Sequence, residues 1–198
     1  MGPASPTRSW PLVLLLLVAL AALAALWATM DRSPGENSLE AGFARDMMVH
    51  HDQAVAMALI ILDRTEDPTM RTIATDMALT QQHQIGQMYG WLNLWGLPAT
   101  GSEPAMTWMG HPTTGLMPGM ATPEELAHLE RLSGEEADNA FLRLMSPHHQ
   151  AALPMAEAAL QGSAIPAVRD LARQIADAQR VEIANMEALL AKKTGEVG

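Results

Sequence analysis

One stretch of this chain occurs twice, and that constrains the fold more than any other feature. FARDMMVHHDQAVAMA, Phe43 to Ala58, returns as FLRLMSPHHQAALPMA, Phe141 to Ala156. A single offset of 98 positions relates Phe43 to Phe141, His50 to His148 and Met57 to Met155. It continues through Pro68/Pro166, Arg71/Arg169, Gln81/Gln179 and Met88/Met186. A register kept this long without insertion marks a duplicated structural unit.

The unit reads as a helical hairpin. Apolar residues at 43, 47, 54, 57, 58, 61 and 62 recur at helical spacing, predicting a helix from Ser38 to about Arg64. Asn37 or Ser38 is its expected cap, with Glu40 near N3. Asp67-Pro68 supplies an N-cap and an N1 proline for a second helix, which stops near Gly96 and Pro98. In the second copy, Ser133 and Glu136 are expected to cap a helix from Gly134 to about Leu160, ended by Gly162. The last helix runs from about Ala164 to Lys193, with two lysines at its negative end. Pro147 and Pro154 stand inside the third helix, where each removes a hydrogen bond. A bend beside His148 is expected, in preference to a break with Ser146 capping a restarted helix.

Neither hairpin can bury its apolar stripe alone, so the expected fold is all-α: a four-helix bundle made of two duplicated hairpins related by a pseudo-two-fold axis. The bundle occupies 38–195, with hairpins at 38–95 and 134–193 and a Met-rich connection at 96–133. Thr122-Pro123-Glu124-Glu125 reads as a capping box that starts a short helix to about Leu132. With 48% hydrophobic but only 4% aromatic residues, the core must be aliphatic. A net charge of −10 argues against nucleic acid as a partner. No cysteine is present, which excludes disulfides, thiolate metal sites and thiol nucleophiles.

Ahead of the bundle, Pro11 to Ala28 is uninterruptedly apolar, with Arg8 before it and Asp31 after it. Residues 1–30 are therefore expected to form an N-terminal transmembrane helix. The basic side would stay in the cytoplasm and the domain after the 31–37 linker would face outward from the plasma membrane. The alternative is a cleaved signal segment, cut near Ala22–Ala24, that leaves a secreted or periplasmic protein.

Within the helices, Met47, His50, His51, Ala54 and Met57 share one face, as do Met145, His148, His149, Ala152 and Met155. Adjacent histidines point about 100° apart, so one of each pair faces the axis and the other a seam. Imidazole and thioether without cysteine form a ligand set suited to copper, Cu(I) above all with Cu(II) also accommodated. The expected ligands are His50, His51, His148 and His149, with Met47, Met88, Met145 and Met186 as thioether candidates. Gln81, Gln179 and Glu182 would fix the imidazole tautomers from outside. Met106, Met109, His111, Met117 and Met120 in the connection make a second candidate, a flexible strap around a soft ion. The bland counterpart is that the methionines are aliphatic filler and the histidines hydrogen-bonded core residues. A di-iron or di-manganese oxidoreductase is the weaker rival. It would need two Glu-x-x-His motifs, and Glu125 to His128 supplies one without a twin. No catalytic reaction is expected, and any metal-exchange partner is left open.

The repeated M-x-x-H-H…A-x-x-M-A followed by Q-x-x-[EQ]-I-x-x-M resembles the bacterial family called domain of unknown function 305. The W-L-x-x-W of Trp91 to Trp95 and the MPGM of Met117 to Met120 are similar to its pattern too. The resemblance covers about Glu36 to Lys193. It implies a ferritin-like four-helix fold, an extracytoplasmic location and copper binding. As motif positions it carries over His50, His51, Met57, Met88, His148, His149, Met155 and Met186. Ser146-Pro147 and Gln84 depart from the pattern, the latter standing where a glutamate is common.

Overall fold

A computed structural model describes residues 10–30 and 33–195, with the backbone alone over 26–30. The chain divides into two units, Met1–Pro34 and Gly35–Gly198. The first contains helix α1, Trp10–Met30, whose described side chains are exposed and apolar. Among the described residues no helix is long and apolar enough to cross a membrane. Side-chain description in α1 stops at Ala25; the expected flanking charges Arg8 and Asp31 lie outside the described residues.

The second unit is all-helical: α2 (Leu39–Arg64), α3 (Pro68–Leu94), α4 (Pro123–Arg131), α5 (Gly134–Gly162) and α6 (Pro166–Thr194). Its caps explain its boundaries. Ser38 Oγ accepts from Ala41 N and starts α2; Asp67 Oδ1 accepts from Thr69 N ahead of Pro68 and starts α3. Thr122 and Glu125 close the expected capping box of α4. Two capping expectations fail. Ser133 makes no side-chain cap on α5. Glu40 does not turn back on its own helix; it accepts instead from Ser163 Oγ and Ala164 N at the opposite hairpin's turn. Lys193 does more than complement a helix end, bonding Asp67 at 2.8 Å and Asp138 at 3.0 Å and so joining α6 to the starts of α3 and α5.

Helix α5 passes through Pro147 and Pro154 without interruption, so Ser146 restarts nothing. Its hydroxyl donates to Glu187 on α6 instead. Packing of α5 on both α2 and α6 supplies what two lost backbone bonds remove.

The duplication is reproduced in the core. One apolar cluster contains Phe43, Met47 and Met88 of the first hairpin with Ala152, Met155 and Ala156 of the second. The other contains Phe141, Met145 and Met186 with Ala54, Met57 and Ala58, the same positions with the hairpins exchanged. Each end of the bundle thus joins the open end of one hairpin to the turn end of its twin, with α2 and α5 antiparallel at the centre. Each fully buried Phe or Met there contributes on the order of 1.5–3 kcal/mol. The histidines stand in sequence between the two sets, and so in the layer between the clusters.

The connection 96–121 is ordered, not a free strap. It runs alongside α2 and is held at successive points. Arg45 Nε donates to Pro98 O; Asp46 Oδ2 accepts from Met106 N and Trp108 Nε1, both at 2.7 Å. Gln53 donates to Ala121 O and accepts from Ala121 N. Burial pushes the Asp46 carboxyl pKa up, against the downward pull of Met106 N–H, the Trp108 indole and Arg45. A Cβ at Gly42 would lie 2.5 Å from the Trp108 ring, so the indole rests directly on the helix backbone there.

Candidate metal centre

His50 on α2 and His148 on α5 meet at the centre of the bundle with ring centroids 3.8 Å apart and planes tilted by 38°. The other two imidazoles turn outward to the seams, as the 100° step between neighbours demands. His51 Nε2 lies 2.8 Å from Gln84 Oε1 on α3, and His149 Nε2 lies 2.8 Å from Glu182 Oε2 on α6. These two bonds are equivalent under the repeat, except that one acceptor is an amide and the other a carboxylate. His50 Nε2 reaches the carbonyl of Pro118 at 3.2 Å. Carbonyl and carboxylate oxygens only accept, so His50 and His149 carry their proton on Nε2; the Gln84 oxygen sets the same tautomer on His51.

That choice leaves Nδ1 of His50, His51 and His149 as a lone pair. Nδ1 of His50, His51, His148 and His149 has no hydrogen-bond partner, and His148 lacks one at Nε2 as well. None of the four residues is more than 1% exposed. Five unpartnered ring nitrogens in one buried layer are an exception to how interiors satisfy polar groups. Desolvation favours the neutral form of His50, His51 and His148. Burial pushes the pKa of His50 down to about 4, with the Pro118 carbonyl pulling the other way. Burial and then the neighbouring His50 push that of His51 to about 3. His148 is pushed down by burial and then by the three other histidines. Neutral imidazoles are the ligand-competent form at physiological pH.

The methionines divide around this layer. Met47, Met88 and Met155 belong to one apolar cluster, and Met57, Met145 and Met186 to the other. Each apolar cluster thus takes three of these six methionines. Among the described residues, no group of three or more His, Asp or Glu side chains is placed to hold a metal ion.

Of the expected tautomer-fixing residues only Glu182 does that work. Gln81 and Gln179 do not reach the imidazoles. Both amide atoms of Gln81 and Oε1 of Gln179 are buried without partners. They line, with Gln84 and Glu182, a slot of about 10 Å³ between α3 and α6, close to the lower limit for one water. Gln84 takes the place expected of Gln81, because its position in the repeat corresponds to that of Glu182.

The connection's ligand candidates separate as well. Met106 and Met117 are buried in the first apolar cluster, Met109 and Met120 pack against it half-buried, and His111 is exposed. Side-chain bonds to Asp46, Gln53 and Pro118 were not expected from the pattern. A signal for the first two existed in the repeat itself: Asp46 and Gln53 correspond to Leu144 and Ala151. Polar residues present in one copy alone mark what only that copy contacts.

The fold agrees with what known proteins show. The family described as Domain of unknown function (DUF305) matches residues 40–190. The chain belongs to this family. A candidate secreted DUF305 protein from Streptomyces coelicolor is 44% identical, with TM-score 0.78 over 81% of this chain and 96% of that one. A DUF305 fragment from Deinococcus radiodurans is 38% identical, with TM-score 0.67 over 78% and 96%. CopM in its Cu(II)-bound form is 27% identical, with TM-score 0.63 over 78% and 97%. Protein L153 of Acanthamoeba polyphaga mimivirus is 37% identical over 46 residues, which are 23% of this chain and 30% of that relative. This DUF305 chain therefore spans less than a third of the curated relative it matches.

Proposed function

We propose that this protein is an extracytoplasmic copper-binding protein that buffers the ion or passes it on, without catalysing a reaction. The observation that carries the reading is the set of unpartnered Nδ1 atoms on four buried imidazoles. His50, His51, His148 and His149 would supply nitrogen. Met47, Met57, Met88, Met145, Met155 and Met186 are the sulfur atoms nearest in register. Glu182 and Gln84 would hold His149 and His51 in the ligating tautomer, as acceptors behind metal-bound histidines do. A soft set of this kind suits Cu(I), and imidazole also accepts Cu(II). CopM, which shares the fold, has been crystallised with each oxidation state. Export is supported by the apolar N-terminal helix of 21 residues and by the candidate secreted relative. The uninterrupted apolar run Pro11–Ala28 suits an export segment, retained as an anchor or cleaved, ahead of the bundle. Against the redox-enzyme alternative, Glu125 of the single Glu-x-x-His is committed to the cap of α4.

A second reading rests on the three Nε2 bonds, to Gln84, Glu182 and Pro118. They are what histidines serving only as core residues would make, in a module whose purpose is structural or interactive. Calorimetric titration of the full chain in detergent with buffered Cu(I), then Cu(II), separates the two. Copper binding predicts stoichiometric uptake that is lost in His50→Ala/His148→Ala, and a melting temperature that rises with copper in wild type alone. Equal, weak binding by wild type and double variant refutes it and leaves the structural module.

A further inference from the structure

The imidazole pair lies beneath a single layer of chain. Pro118 and Gly119 are exposed, while His50 directly under them is 0% exposed and His148 1%. The Pro118 carbonyl closes His50 Nε2. Gly119, at φ +75°, lies so close to α5 that a Cβ there would stand 2.5 Å from Ala151 Cβ, 2.7 Å from Pro147 O and 3.1 Å from His148 Cα. No side chain fits at that point, and the left-handed conformation also favours glycine. Met117 is buried on one side of this turn and Met120 half-buried on the other. The turn is fastened at its end by the Gln53 amide, which makes both bonds to Ala121, at 2.8 and 2.7 Å. Gln53 lies three residues after His50, on the same face of α2.

We propose that Met117–Ala121 is a cover over the His50–His148 pair, latched by Gln53, and that its opening is the step by which a soft monovalent ion reaches those rings. The identity of the ion rests on the function proposed above; the cover itself does not. Lifting the turn frees His50 Nε2 from Pro118, bares both rings and exposes the thioethers of Met117 and Met120 to an incoming ion. Two methionines flanking the entrance favour Cu(I) over hard cations before it meets nitrogen. Gln53 is then a positioning residue that acts through the latch.

Two measurements on the full chain in detergent test this with Gln53→Ala, which cuts the latch, and Gly119→Ala, which pries the turn from α5. The first is the rate at which diethyl pyrocarbonate modifies each histidine, read by peptide mass spectrometry. The cover predicts at least tenfold faster modification of His50 and His148 in both variants, with His51 and His149 unchanged and exposed His83 as reference. Unchanged rates at His50 and His148 overturn the proposal. A parallel rise at all four buried histidines also overturns it, because the whole bundle would then be opening. The second is stopped-flow uptake of silver(I) alone, a closed-shell substitute for Cu(I). At least tenfold faster uptake by Gln53→Ala with unchanged stoichiometry supports entry through the cover, and an unchanged rate refutes it. Wild type that takes up no silver or copper refutes the proposed function, while the modification rates still decide the cover.

Discussion

Acid should unfold this bundle from its centre outward. His50, His51 and His148 are buried with their pKa values pushed well below 6.5, whereas the unfolded chain titrates them normally. The folded protein therefore resists protonation that the unfolded chain accepts. The stability this confers is complete above about pH 6.5 and is lost as pH falls toward the folded values, about 4 for His50 and about 3 for His51. Each proton taken up on unfolding costs about 1.4 kcal/mol per pH unit. Three rings together give a slope on the order of 4 kcal/mol per pH unit below about pH 5.5, against a total stability of about 5–15 kcal/mol for a domain. Asp67, whose pKa is lowered by its hydrogen bond to Lys193, adds loss only below its ordinary 3.8. Asp46 acts in the opposite sense, since its raised pKa favours the folded form as pH falls through the range above 3.8. Urea melts followed by circular dichroism at half-unit steps from pH 7.5 to 4.5 measure the slope directly, with metal chelated throughout. His148→Gln should reduce it by about one proton, roughly 1.4 kcal/mol per pH unit. A wild-type slope of less than one proton between pH 6 and 5 would show that the histidines are not buried and neutral together, and the reasoning would fail.

Three further outcomes follow from particular contacts. Glu182→Gln should weaken copper binding by about 10–100-fold and Gln84→Glu should strengthen it, because a carboxylate behind an imidazole raises its basicity; equilibrium competition with a coloured Cu(I) chelator reads both. Asp46→Ala leaves Met106 N–H and the Trp108 indole without their acceptor and should cost about 2–4 kcal/mol, with a red shift of tryptophan emission; loss under 1 kcal/mol would show that the connection is not held there. Gln81→Met replaces two unpartnered buried amide atoms with a similar apolar volume and should raise stability by about 1–2 kcal/mol in the same urea melts, while a decrease would mean that Gln81 has a partner.

Most of the architecture could be read from the chain, because helical spacing and caps are local and a repeat is visible without coordinates. The 98-residue offset places Met47 with Met145 and His50 with His148, and a two-fold arrangement is the one way for equal stripes to bury each other. The histidine pairs as the centre of interest were legible for the same reason, as were the different directions of the two rings in each pair. Pattern could not distinguish Gln81 from Gln84 as the partner of His51. Both lie on one helix stripe, and a 3.6-residue period does not resolve neighbours on a face when the crossing of α2 and α3 is unknown.

Only the tertiary structure decided what the connection does. Residues 96–121 have no period, and their place along α2 comes from contacts distant in sequence, such as Asp46 with Trp108 and Gln53 with Ala121. It also decided that the six bundle methionines fall into two apolar clusters, three in each. Sequence alone determined which groups recur and on which helix face, since that follows from residues a few positions apart. Which nitrogen keeps a free lone pair, and what covers it, depends on atoms that only folding brings within 3.2 Å.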